Sequence, residues 1–149
     1  MVGPDDLVYV LGDVGFTPAG GIAGCVEQLK GRKVLLIGNH DKLQDGVYRK
    51  MGFISVVRHP IYYASNIILS HVPIIECLNN PWAINVHGHL HRSYVNLPNY
   101  FNVNVELRNY APVNMEEFIS VAAKLCRPTR YEKFTHEWYT EWETRITNS

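Results

Sequence analysis

The sequence predicts a mixed α/β sandwich. Short apolar runs alternate with amphipathic segments in the first third, β-like runs dominate the middle, and a capped amphipathic helix follows. Residues 7–11 (LVYVL), bounded by Asp6 and Gly12, read as a buried strand. A helix is expected over residues 20–30, where Ile22, Cys25, Val26 and Leu29 fall at i, i+3, i+4 and i+7 and share one buried face. Gly31 ends it, because glycine accepts the left-handed backbone that follows a helix. Residues 33–37 (KVLLI) form a second buried strand.

Leu43, Val47 and Met51 predict a short helix closed by Gly52, and residues 53–57 a strand. Residues 61–63 and 67–69 pair as a hairpin turned at Ala64-Ser65-Asn66. Residues 83–86 and 101–105 complete the strands. Asn114 then caps a helix, with Glu117 as its capping-box partner and Phe118, Val121, Ala122 and Leu125 as its apolar face. The composition changes after Cys126. Residues 1–126 are therefore read as one domain and 127–149 as a helical C-terminal extension, its Tyr131, Phe134, Trp138 and Trp142 packed onto that domain.

With 149 residues, 46% hydrophobic and 19% charged, the chain has the composition of one globular domain. Fourteen basic residues balance fourteen acidic ones, which argues against a broad electrostatic hold on nucleic acid or an anionic membrane. No apolar run approaches the roughly 20 residues needed to span a bilayer. The start, Met1-Val2-Gly3-Pro4, lacks the basic and apolar regions of a signal peptide. Cys25, Cys77 and Cys126 are scattered and odd in number, so buried structural thiols in a reducing compartment are expected, and with them a cytoplasmic location.

Function is written at the strand ends. LVYVL stops at Gly12-Asp13, KVLLI at Gly38-Asn39-His40-Asp41, the run 67–69 at Ser70-His71, and AINV at His87-Gly88-His89-Leu90-His91. In α/β proteins ligands collect at the carboxyl ends of strands, and a neighbouring glycine lets the backbone approach an ion closely. Each piece alone has an ordinary explanation: Asp13 a helix cap, Asn39-His40-Asp41 a polar turn, His71 a core histidine, His87, His89 and His91 one face of a polar strand. Four coincident strand ends outweigh these. A carboxylate, a carboxamide and imidazoles suit borderline divalent ions, manganese first, iron(II) or zinc next, and no thiolate stands near to make a structural zinc knot. Phosphoester hydrolysis is the chemistry such a set serves best, since a divalent ion lowers the pKa of water from about 16 toward about 7 and neutralises phosphoryl charge.

GDVG (12–15), GNHD (38–41), the segment Ser70-His71-Val72-Pro73 and GHLH (88–91) stand in the order found in the calcineurin-like metallophosphoesterases, and the chain resembles that family from about Asp6 to Val113. The resemblance implies a four-layer α/β/β/α sandwich. It implies that Asp13 bridges two metals, that Asn39, His71 and His89 complete the second metal's ligands, and that His91 binds the first. It makes His40 the catalytic histidine, beside the phosphoryl oxygen and the leaving group, with in-line attack by a metal-bound hydroxide and no covalent intermediate. The implied substrate is a small-molecule or nucleotide phosphoester, phosphodiesters being common among small members. Asp41 is expected to orient His40, Arg92 to contact phosphate and His87 to support the ligands, whereas His59 and His136 match no ligand position.

The family's Asp-x-His motif, on a strand upstream of the GD strand, has no counterpart before Asp13. The sandwich is therefore expected to be N-terminally incomplete, with one tight metal, one weak or empty position, and impaired turnover. An uncovered sheet flank would invite self-association. The alternatives are a non-catalytic metal-binding or interaction module on the same scaffold, and a nuclease, for which the charge balance shows no basic groove.

Overall fold

Alternation along the strands assigns each apolar side chain to a layer. The computed structural model describes residues 1–15, 19–64, 66–80 and 82–125, so the expected 127–149 extension, Cys126 and the turn residue Ser65 lie outside the described residues. A three-stranded sheet is ordered β1 (Leu7–Val10), β2 (Arg32–Leu36), β3 (Phe53–Val57), all parallel. A second, four-stranded sheet runs β4 (Ile61–Ala64), β5 (Ile67–Ser70), β6 (Ile84–His87), β7 (Tyr100–Asn102). Its first pair is antiparallel and the rest are parallel. Helix α1 (Ala19–Gln28) joins β1 to β2, α2 (Asp45–Lys50) joins β2 to β3, and α3 (Met115–Leu125) follows β7. The α/β class expected from the sequence is therefore the one observed.

Val34 and Leu36 face inward from β2 and meet Ile61, Ile67, Leu69, Ile84 and Val86 of the second sheet, so the two sheets share one central core. Leu35 faces the other way, onto Ile22 and Val26 of α1 and Tyr48 and Met51 around α2. Phe118 and Ala122 of α3 close the central layer, with Phe118 edge-on to Phe101 at 5.4 Å. The outer face of the second sheet carries Ile68, Ala83 and Tyr100, packed on Cys77 of a 3-10 turn (Ile75–Leu78). Among the described residues no helix is long and apolar enough to cross a membrane.

Several local expectations are corrected. Cys25 and Leu29 are exposed, not buried. The α1 stripe is only Ile22 and Val26 wide, and the helix ends at Gln28, which leaves Leu29 outside it. Lys33 reaches back to that end, donating to the Leu29 carbonyl at 2.9 Å. Gly31 and Gly52 do adopt positive φ, +88° and +101°. Strand β1 is half-buried because it is an edge strand. The run 101–105 is no continuous strand: Asn102 Oδ1 accepts from the Asn104 amide at 2.9 Å and turns the chain into a 3-10 turn, Val105–Leu107. Asn114 caps α3 as expected, accepting from Glu116 N at 3.0 Å, but the Glu117 carboxylate lies toward Arg108 (3.7 Å) rather than closing a capping box.

Candidate metal centre

The carboxyl ends of β1, β2, β5 and β6 bring their following loops to one place, where the two sheets meet. Two glycines permit the approach. A Cβ on Gly12, which sits at φ +83°, would lie 2.5 Å from His71 Nδ1 and 2.6 Å from Gly38 Cα. A Cβ on Gly38 would collide with Asp13 Oδ1 and lie 2.8 Å from His71 Cε1. Neither position admits a side chain while the other sheet's histidine stays in place.

His71 is 6% exposed and is the pivot of the site. Its Nδ1 lies 2.8 Å from the Leu11 carbonyl, which can only accept, so Nδ1 carries the proton and the neutral ring's lone pair is on Nε2. Around Nε2 stand Asn39 Oδ1 at 2.8 Å, His89 Nδ1 at 3.1 Å and Asp13 Oδ2 at 3.4 Å. Four atoms able to ligate a metal thus stand close together. Metal–ligand distances of about 2.0–2.2 Å put neighbouring ligand atoms roughly 2.9–3.5 Å apart, so these separations fit a divalent cation held among them. Asp13, His71 and His89 each offer one ligand atom, all within 4.8 Å of one another, and together could hold a metal ion.

Among the described residues, three of the five non-glycine positions with positive φ lie in these loops. Asp13, His89 and His91 have φ of +54°, +64° and +48°, a left-handed conformation that side chains other than glycine adopt at a cost. Asp41 helps to keep Asp13 in it. Its buried carboxylate accepts from Asp13 N (2.8 Å), Val14 N (3.0 Å) and Gly38 N (2.8 Å), so it staples the loop after β1 to the loop after β2. The Asp13 Oδ1 atom in turn accepts from the His40 amide at 2.9 Å. Asp41, expected to orient the His40 ring, is thus committed to backbone amides. His40 itself is exposed at the rim.

Asp13, Asn39, His71 and His89 are brought together; His91 is not in that group. The His91 side chain is 65% exposed, with Nδ1 2.8 Å from Glu106 Oε1. The other oxygen of Glu106 meets Arg92 Nε at 3.1 Å. The hydrogen bond from His91, and after it that from Arg92, hold the Glu106 carboxyl below the usual range. Asn102 secures the same loop by its backbone, donating to the carbonyls of His91 (3.0 Å) and Ser93 (2.8 Å). His87 is completely buried, its ring 6.2 Å from that of Tyr100. Its Nδ1 is 2.9 Å from the Gly88 carbonyl, its Nε2 has no hydrogen-bond partner among the described residues, and burial pushes its pKa down. Sequence reading missed the roles of Asp41, Asn102 and Glu106; Asn102, Asn104 and Glu106 alternate with Phe101, Val103 and Val105 as the polar face of a strand would, so no local signal set them apart.

No family model matches the chain, and no curated protein matches it either. Among solved structures it is similar to a protein of unknown function, AQ665 from Aquifex aeolicus, at 25% identity and a TM-score of 0.59. That match covers 80% of this chain and 78% of the other.

Proposed function

We propose that this chain is a metal-dependent phosphoesterase of the calcineurin-like metallophosphoesterase kind, acting on a small-molecule or nucleotide phosphoester and preferentially on a diester. Its two facing sheets then correspond to the inner layers of the four-layer sandwich. One observation carries the reading: with Nδ1 held by the Leu11 carbonyl, His71 turns Nε2 toward Asn39 Oδ1, His89 Nδ1 and Asp13 Oδ2, so four atoms able to ligate a metal meet in one place. The mixed oxygen and nitrogen set suits manganese, iron(II) or zinc. When bound, such an ion supplies acidified water and neutralises phosphoryl charge.

The chain's own residues do the rest. Asp13 and Asn39 from the first sheet and His71 and His89 from the second fix the binding geometry. His40, exposed at the rim on the amide that anchors Asp13, is placed to meet a phosphoryl oxygen and to protonate a leaving alkoxide. Arg92 is 79% exposed and available to a second phosphate oxygen without leaving Glu106.

Hydrolysis of bis(p-nitrophenyl) phosphate by the manganese-loaded protein tests this. His40→Ala should lower the rate by about a hundredfold or more while the ion stays bound, and Asp13→Ala should remove both ion and activity. Equal rates in all three proteins would sink the proposal. A second reading, a metal-binding module without turnover, is favoured by the position of His91, which stands outside the group and on Glu106. It requires one tightly bound ion and no hydrolysis. Elemental analysis after dialysis should find one tight ion per chain in either case. Strand β1, an edge strand among the described residues, is where we would have two copies pair.

A further inference from the structure

We propose that Glu106 is the positioning residue of His91, selecting the imidazole tautomer that leaves Nε2 free to receive a second, weaker divalent cation. That choice of ligand rests on the phosphoesterase reading; the tautomer does not. Glu106 Oε1 accepts from His91 Nδ1 at 2.8 Å, and a carboxylate has no proton to give, so the ring proton belongs on Nδ1 and the lone pair on Nε2. A carboxylate behind an imidazole both orients the ring and makes its far nitrogen a better donor to metal.

The geometry is built, not incidental. The Glu106 amide is tied to Asn104 Oδ1 at 3.0 Å, which starts the 3-10 turn and sets where the side chain leaves the backbone. Asn102, two residues before Asn104, grips the His91 and Ser93 carbonyls, so the turn and the histidine loop are fastened to one another independently of Glu106. The second oxygen is engaged by Arg92 Nε at 3.1 Å, which fixes the carboxylate's own orientation. His91 holds a left-handed backbone, φ +48°, that needs such support. With Glu106 removed, a solvent-exposed imidazole reverts to the Nε2–H form favoured in water, and the lone pair turns away from the ligand position.

The test reads the tautomer directly. Long-range proton–nitrogen correlation on metal-free, histidine-labelled protein at about pH 8, where imidazoles are neutral, reports which nitrogen carries hydrogen. Signals are assigned by their loss in His91→Gln. Native protein and Glu106→Gln, whose amide oxygen still accepts, should show Nδ1–H at His91; Glu106→Ala should show Nε2–H. A native Nε2–H form, or an unchanged tautomer in Glu106→Ala, overturns the assignment. Manganese titration supplies the second arm. Glu106→Ala should weaken the weaker binding phase about tenfold or more and leave the tight phase alone, with Glu106→Gln within about threefold of native. An unaltered weaker phase in Glu106→Ala also overturns it. A native protein that binds no ion defeats the phosphoesterase reading, and the tautomer result alone then decides for or against Glu106.

Discussion

Asp41 illustrates how one buried carboxylate can hold a site it does not itself line. It accepts three backbone amides from two different loops, and charge-assisted bonds of this sort contribute more than neutral ones. Asp41→Ala should therefore destabilise the fold by about 3 kcal/mol in urea denaturation and abolish tight metal binding, because three amides lose their acceptor. Asp41→Asn keeps the shape and one acceptor oxygen, and should fall between native and alanine on both measurements. A variant with native stability and native affinity would show the staple to be dispensable. The cysteines give a separate residue-level test. Cys77 is 1% exposed, and burial, with a smaller contribution from Glu76, pushes its thiol up, whereas Cys25 is exposed. A thiol with a raised pKa has less thiolate at any pH below it, so iodoacetamide at about pH 8 should label Cys25 first and Cys77 only after denaturation.

At the scale of the elements, the α3 cap and the glycine loops are the parts open to test. Removing the Asn114 side chain leaves the Glu116 amide without its partner, and Asn114→Ala should cost about 1 kcal/mol with no effect on metal affinity. Gly38→Ala is the converse. Its new methyl would collide with the Asp13 carboxylate, so titration should show tight manganese binding lost, even though the substitution lies in a loop and removes no ligand. These elements also show what could be read from sequence. Each strand of the site was recognisable because its apolar run ends abruptly at glycine or at a ligand, both local signals. Which strands pair was not, since spacing along the chain carries no record of neighbours; hence β1 was read as buried although it is an edge. Residues 101–105 misled for a related reason. Phe101, Val103 and Val105 alternate as a strand does, but the Asn102 side chain captures the Asn104 amide and ends the ladder. Glu106 and the histidine it holds are 15 residues apart, and only the fold joins them.

For the molecule as a whole, the arrangement of the candidate ligands would make a bound metal a structural cross-link. Asp13 and Asn39 follow strands of the first sheet and His71 and His89 follow strands of the second, and the two sheets also meet through the apolar core, the Tyr9–Tyr63 ring contact and the His71–Leu11 hydrogen bond. An ion bound among these four side chains favours only the folded chain, in which they converge. At a hundredfold excess over its dissociation constant, such a ligand adds about 2.7 kcal/mol to stability. For a chain of this length that corresponds to a rise in Tm of roughly 8–10 °C. Calorimetry with and without manganese should record this rise, and a chelator should reverse it. Because the cross-link needs a ligand from each sheet, Asp13→Ala and His89→Ala should each cancel the metal-dependent part while leaving a cooperative transition. His59→Ala, which removes none of the four side chains, should keep it. If the rise survived in both ligand variants, the ion would be binding elsewhere, and the four converging side chains would need another explanation.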